Sequence, residues 1–154
     1  MNQIKGEPLL ILLIEDNEDH AELMRRSLTE HHVANQIIHL ADGQEAMDYL
    51  FRNNRYRDPV ASPRPNLVIL DLRLPIVDGL TVLKKMKEDP ELHRLPVVVV
   101  TSSDQESDIA RAYDYHANSY LVKPIDFMKF HEMMKELGFY WLGWNANPEF
   151  SRQK

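Results

Sequence analysis

Short apolar runs alternate with amphipathic segments along this chain, and this alternation constrains the fold more than any other feature. The first run is apolar at every position, which is typical of a strand buried on both faces of a sheet. The second run is more mixed and indicates an edge strand. The predicted strands are Leu9–Ile14, Gln36–Leu40, Leu67–Leu70, Val97–Val100 and Asn118–Val122.

A segment with helical periodicity follows each predicted strand. We predict the third helix at 79–88 and the last at 125–137, with Gly138 as its stop. Residues 52–65 are polar and contain three prolines, so we predict a long loop there. The candidate N-caps of the other helices are Asn17 or Asp19, Asp42, and Ser103 or Asp104.

Five successive strand–helix units predict an α/β fold. Short right-handed crossovers make this a doubly wound, five-stranded parallel sheet with helices on both faces. In a flavodoxin-like strand order, the switch point lies between the first and third strands, and ligands bind at such points.

The composition suits one domain and excludes several classes of function. The chain has 154 residues, and 44% of them are hydrophobic. The net charge of −6 argues against broad binding to nucleic acid or to an anionic membrane. The absence of cysteine excludes disulfides and thiolate chemistry. No apolar run is long enough for a signal sequence or a membrane span, and we expect a cytoplasmic protein.

Residues that can handle a phosphoryl group follow four of the predicted strands. The carboxyl ends of parallel strands meet on one edge of the sheet, so we expect these side chains to lie together. Each has an ordinary alternative role, in helix capping, a turn, strand propensity or solvation, and the joint pattern is the informative signal. The residues are Glu15 and Asp16, Asp71, Thr101, and Lys123 before Pro124.

Carboxylates, a hydroxyl and an ammonium at one edge are what a Mg²⁺-dependent phosphoryl acceptor requires. Asp16 would bind Mg²⁺ directly, Glu15 would act through water, and the backbone carbonyl of Arg73 would add an oxygen. Asp71 would then be the nucleophile toward phosphorus. Lys123 would pair with Asp71 at rest and with the phosphoryl group afterwards.

At these residues the chain resembles the receiver domains of bacterial two-component response regulators, over about residues 9–138. The matching segments are the acidic pair Glu15-Asp16, LVILDLRLPIVDG, PVVVVTSS and SYLVKP. The long segment before the third strand and EDPELHRLPVVVVTSS resemble the single-domain regulators that partner bacterial phytochromes. Arg73 lies where Asn is frequent in those relatives.

The resemblance implies that Asp71 is the phosphoacceptor and that Asp16, Asp71 and the Arg73 carbonyl bind Mg²⁺. It implies that Thr101 and Lys123 bind the phosphoryl group and that Tyr120 is an aromatic switch. The implied partner is a sensor histidine kinase, with a phytochrome as the narrower expectation. The implied activity is that of a signalling phosphoacceptor, with metal-dependent autophosphorylation and autodephosphorylation but no metabolic reaction.

Around this domain we expect a polar N-terminal tail at 1–8 and an aromatic C-terminal extension at 139–154. The aromatic residues Phe139–Trp144 either fold back on the last helix or pack against a second subunit. A homodimer would use helix 4, strand 5, helix 5 and this extension. Residues 145–154 are expected to fray.

Three hypotheses follow, and the first is favoured. It is a stand-alone phosphoacceptor in a two-component phosphorelay. The second is an interaction module of the same fold that does not depend on phosphorylation. The third, a flavin-binding protein or a haloacid-type phosphatase, is disfavoured because EDNEDHAE is no phosphate-cradling loop and because position 73 is Arg, not Asp.

Overall fold

A computed structural model describes residues 10–30 and 36–144 of the chain. In this part of the chain five parallel strands form one sheet, in the order β2-β1-β3-β4-β5. This order is the flavodoxin-like one, with the switch point between β1 and β3, and it confirms the predicted fold class. The strands are β1 (Leu10–Ile14), β2 (Gln36–Leu40), β3 (Leu67–Leu70), β4 (Val97–Thr101) and β5 (Ser119–Val122).

Four of the five main helices in the described part of the chain begin at a short polar side chain that caps them. The side chains of Asn17, Asp42, Asp78 and Asp126 each accept a hydrogen bond from a backbone N–H of the following first turn. No described helix is both long and apolar enough to cross a membrane. The helices are α1 (Glu18–Thr29), α2 (Gly43–Phe51), α3 (Gly79–Glu88), α4 (Glu106–Asp114) and α5 (Phe127–Gly138).

Two predicted helix starts are wrong. The fourth helix begins at Glu106 and not at Ser103 or Asp104, because the Ser103 hydroxyl bonds to the side chain of Asp108 and leaves the helix without a side-chain cap. The last helix begins at Phe127 and not at residue 125, because Asp126 is its N-cap.

Two further expectations need correction. Gly138 ends the α-helical part of the last helix but not the helical path: a π-helical segment, Phe139–Trp144, continues from it, and Phe139 keeps helical backbone angles. The predicted loop at 52–65 contains a short 3₁₀ helix, Asn54–Tyr56. The predictions for Leu9, for the tail at 1–8 and for residues 145–154 lie outside the described residues.

The core has two layers, one on each face of the sheet. Successive residues of β1 point to opposite faces, so Leu12 packs with α2, α3 and α4, whereas Leu13 packs with α1 and α5. Tyr49 of α2 and Phe130 of α5 are the largest fully buried side chains of the two layers. Both faces of the central strands are therefore covered, and the carboxyl edge of the sheet carries the polar groups.

Candidate functional site

Polar side chains from four strands lie at the carboxyl edge of the sheet. Because β1 and β3 are paired in register, the residues that follow them lie side by side. The predicted residues at this edge are Glu15 and Asp16 after β1, Asp71 after β3, Thr101 at the end of β4, and Lys123 after β5.

Lys123 is the cation at the centre of this group. Its Nζ lies 2.9 Å from Glu15 Oε1 and 3.0 Å from Asp71 Oδ2, and all three residues are less than a tenth exposed. Lys123 donates a hydrogen bond to Asp71, whereas its contact with Glu15 Oε1 is an ion pair without the alignment of a hydrogen bond. Two buried carboxylates thus share one ammonium, and the site has an excess of negative charge.

This crowding changes the protonation of Glu15. Burial, followed by the negative charge of Asp71, raises the pKa of Glu15 from 4.5 to about 7, although Lys123 acts in the opposite direction. The backbone N–H of Asn17 donates to Glu15 Oε2 at 3.0 Å and also favours the ionised form. Glu15 is therefore protonated in only part of the molecules near neutral pH, and a bound cation would favour its ionised form.

The acidic residues fit a hard divalent cation. Carboxylate oxygens of Glu15, Asp16 and Asp71 all lie within 4.8 Å of one another, and Asp16 is exposed. Among the described residues none donates an aligned hydrogen bond to Glu15 Oε1, so this oxygen has spare capacity to accept one from a metal-bound water. A set made only of oxygen ligands is the type that Mg²⁺ and Mn²⁺ prefer.

Thr101 and Tyr120 lie on the β4–β5 side of the site. Thr101 is fully buried, and the backbone N–H of Ser103 is 3.5 Å from its hydroxyl. The Tyr120 hydroxyl donates to the carbonyl of Ser103 at 2.9 Å, and its ring packs on the core layer of α2, α3 and α4. The predicted switch residue is therefore already turned inward and held by the loop that follows Thr101.

Close backbone packing fixes the loop after Asp71. A Cβ on Gly79 would lie 2.2 Å from the Asp71 carbonyl oxygen, and the Gly79 N–H donates to the Leu72 carbonyl at 2.8 Å. A Cβ on Gly43 would lie 1.7 Å from the carbonyl oxygen of Val77. Only glycine allows α2 and α3 to begin so close to this loop.

His20 is a site residue that the sequence analysis missed. Lys123 donates a hydrogen bond to His20 Nδ1 at 2.9 Å, and the ring meets Phe130 edge-on. Burial, and then the charge of Lys123, lower the pKa of His20. His20 lies in the first turn of α1, and no spacing along the sequence marks it as a neighbour of Lys123.

Asp108 is a second residue that the sequence analysis missed. It is a buried acid in the first turn of α4, and the Arg73 guanidinium lies 2.6 Å from its Oδ2. The side chain of Arg73 therefore pairs with α4, whereas its backbone N–H is 3.3 Å from Asp71 Oδ1. No local sequence signal links residues so far apart.

Known proteins resemble the chain over almost all of the described residues. The profile of the response regulator receiver domain family matches residues 11–135. The probable methanogenesis regulatory protein FilR2 of Methanothrix harundinacea is 43% identical over 142 residues, which are 92% of this chain and 89% of that protein. The response regulator Rcp1 of Synechocystis sp. is 37% identical over 142 residues, which are 92% of this chain and 95% of that protein.

Solved structures show the same architecture. The crystal structure of the Mn²⁺-bound form of Rcp1 has a TM-score of 0.87 at 38% identity, over 92% of this chain and 99% of that chain. The crystal structure of the phosphorylated cyanobacterial phytochrome response regulator RcpA has a TM-score of 0.87 at 36% identity, with the same coverage.

Proposed function

The chain belongs to the response regulator receiver domain family, and we propose that Asp71 accepts a phosphoryl group from the phosphohistidine of a sensor histidine kinase. One observation carries this assignment to a residue. The Asp71 carboxylate lies next to the acidic pair Glu15 and Asp16, with which it could hold a divalent cation, and it also contacts the buried ammonium of Lys123.

The surroundings of Asp71 suit in-line phosphoryl transfer. A carboxylate oxygen of Asp71 attacks phosphorus, the P–N bond of the phosphohistidine breaks, and the leaving imidazole nitrogen takes up a proton. Lys123 orients the Asp71 carboxylate beforehand and pairs with the new phosphoryl oxygens afterwards. The Thr101 hydroxyl, at the end of the adjacent strand, binds another phosphoryl oxygen.

The proposed metal is Mg²⁺, which neutralises charge on the phosphoryl oxygens when it is bound. Asp16, Asp71 and the backbone carbonyl of Arg73 would hold it, with Glu15 acting through water. The same constellation supports slow autophosphorylation from small phosphodonors and hydrolysis of the aspartyl phosphate by water.

The proposed output surface consists of α4, β5 and α5. Phosphorylation would draw Thr101 toward Asp71 and change the loop that holds Tyr120. This surface already exposes apolar side chains, which suits a partner or a second copy of the chain. They are Tyr113, Val122, Ile125 and Met128.

The aromatic extension supports both uses that the sequence suggested. Trp141 is half-buried against the core layer of α1 and α5, so part of the extension folds back on its own domain. Phe139 and Tyr140 are 40% and 56% exposed, and we propose that they extend a homodimer interface. Sizing chromatography of both phosphorylation states tests this proposal. The side chain of Trp144 lies outside the described residues.

We propose a phytochrome-type kinase as the first partner to test, because RcpA is a phytochrome response regulator with a TM-score of 0.87. Such a kinase draws its phosphoryl group from ATP, which places the encounter in the cytoplasm. The name of FilR2 points to methanogenesis instead. The rate of phosphoryl transfer from the phytochrome kinase is therefore compared with the rate from a sensor kinase that has no photosensory domain. Faster transfer from the phytochrome kinase is the expected result.

Intact mass spectrometry tests the proposed function. Wild type and Asp71→Asn are incubated with acetyl phosphate, with and without Mg²⁺. We expect one phosphoryl group on the wild type only, and only with Mg²⁺. No adduct, together with no binding of beryllofluoride, would favour the phosphorylation-independent interaction module.

A further inference from the structure

The side chain of Arg73 connects the Asp71 loop to helix α4. Its guanidinium lies 2.6 Å from Asp108 Oδ2, and this contact is both a hydrogen bond and an ion pair. The side chain of Asp108 is 9% exposed, whereas that of Arg73 is 60% exposed. The acid is therefore fixed in the protein, and the arginine retains freedom to move to another anion.

Asp108 also holds the loop between β4 and α4. The Ser103 hydroxyl donates to Asp108 Oδ2 at 2.6 Å, and the Ser103 carbonyl accepts from the Tyr120 hydroxyl at 2.9 Å. One buried carboxylate thus joins the loop after Asp71, the loop after Thr101 and the inward position of Tyr120.

Phosphorylation would place a competing anion near Arg73. Arg73 lies two residues after Asp71 in the sequence, and its backbone N–H already faces Asp71 Oδ1. Burial raises the pKa of Tyr120, and the charges of Asp108, Arg73 and Asp71 contribute less to the same pKa, so these three groups lie in one electrostatic neighbourhood. A phosphoryl group offers a guanidinium two oxygens in the geometry that it pairs with most strongly.

We infer that Asp108 is a positioning residue that holds the Arg73 guanidinium on α4 and thereby keeps it off the phosphoryl oxygens. This inference rests on the proposed function of Asp71. When Asp108 cannot pair with it, Arg73 turns to the phosphoryl group and covers the side from which water attacks. The aspartyl phosphate then lasts longer, although Asp108 never touches it.

Asp108→Asn is the sharpest variant for this inference. Asparagine keeps the size of the side chain and an oxygen that accepts the Ser103 hydrogen bond, but it removes the charge that attracts Arg73. Asp114→Asn is the matched control, because it makes the same charge change at an exposed position of the same helix.

The measurement is the half-life of the phosphorylated protein after removal of the phosphodonor, read by intact mass. We expect Asp108→Asn to lengthen it by about threefold to tenfold, which is the size of coupling between contacting residues. Asp114→Asn should leave it unchanged, and Asp108→Glu should return it toward the wild-type value. In an Arg73→Gln background, Asp108→Asn should have no effect.

That last comparison separates positioning from a structural role. If Asp108 merely stabilised α4, its substitution would change the half-life equally in both backgrounds, and that result would overturn the inference. An unchanged or shortened half-life in Asp108→Asn would also overturn it.

Failure of the proposed function gives a different pattern. In that case the wild type forms no adduct at all, and the inference falls with it. Urea unfolding of the unphosphorylated wild type, the Arg73→Gln and Asp108→Asn variants and the double variant forms a double-mutant cycle, which would still detect the ion pair. Failure of the inference is therefore distinguishable from failure of the proposed function.

Discussion

Replacing Lys123 with methionine should destabilise the metal-free protein far more than an ordinary lysine substitution does. Lys123 Nζ is within 3.0 Å of both Glu15 and Asp71, and the three groups are buried together. Without the ammonium, two buried carboxylates lie together with no cation. Removing one partner of a buried ion pair typically costs about 3–5 kcal/mol, and we expect that loss near pH 8.

The pKa of Glu15 sets the pH dependence of this loss. Burial and Asp71 raise that pKa from 4.5 to about 7 even with Lys123 present, so ionised Glu15 already carries a penalty of about 3 kcal/mol. A raised carboxyl pKa has no effect on stability below the unfolded value and lowers stability as the pH rises through the folded value. Loss of Lys123 raises the pKa of Glu15 further, so the deficit of the variant should shrink as the pH falls toward 5.

The assay is urea unfolding in the presence of a chelator, followed by circular dichroism. Lys129→Met, at an exposed position of α5, is the matched control and should lose no more than about 0.5 kcal/mol. Adding Mg²⁺ should recover part of the deficit, because a cation that binds only the folded state stabilises it. Equal losses of unfolding free energy in Lys123→Met and Lys129→Met would refute the reasoning. A loss in Lys123→Met that grows toward low pH would refute it as well.

Three further substitutions test the backbone and the helix contacts. Ile76 has a φ of 73° and a side chain that is 76% exposed. Because asparagine adopts this left-handed backbone region more readily than isoleucine, Ile76→Asn should stabilise the protein by about 1 kcal/mol. A lower urea midpoint would contradict this prediction. Gly79→Ala should destabilise the protein by about 3 kcal/mol in the same assay and slow its labelling by acetyl phosphate, because the added Cβ would clash with the backbone of Asp71. Wild-type stability and labelling in this variant would refute the close contact. The Lys87 ammonium donates to two backbone carbonyls, so Lys87→Met should cost about 1–2 kcal/mol. Burial lowers the pKa of Lys87. The free energy of unfolding of the wild type should therefore exceed that of Lys87→Met by more at about pH 10 than at about pH 8. A difference that becomes smaller over this range would contradict the prediction.

Much of the architecture was predictable because its signals are local. Continuous apolar runs identified the buried strands, and Asn17 and Asp42 capped helices as expected. Parallel strands bring their carboxyl ends to one edge, so the meeting of Glu15 and Asp71 followed from chain order and topology.

The remaining features depend on contacts between distant segments. Asp108 pairs with Arg73 across two loops. The same carboxylate accepts a hydrogen bond from the Ser103 hydroxyl, which removes Ser103 from its expected capping position. The continuation of the last helix past Gly138 accompanies the packing of Trp141 on the core layer of α1 and α5. Periodicity along one segment does not encode which side chain of another segment it meets.

Chemical mapping of the phosphorylated residue tests the central claim most directly. Hydride reduction of an aspartyl phosphate converts that residue to homoserine, which peptide mass spectrometry locates in the chain. After incubation with acetyl phosphate and Mg²⁺, we predict homoserine at position 71 and at no other position. Homoserine at position 16, at any other acid, or nowhere despite a phosphoryl adduct would contradict the assignment of Asp71 as the acceptor.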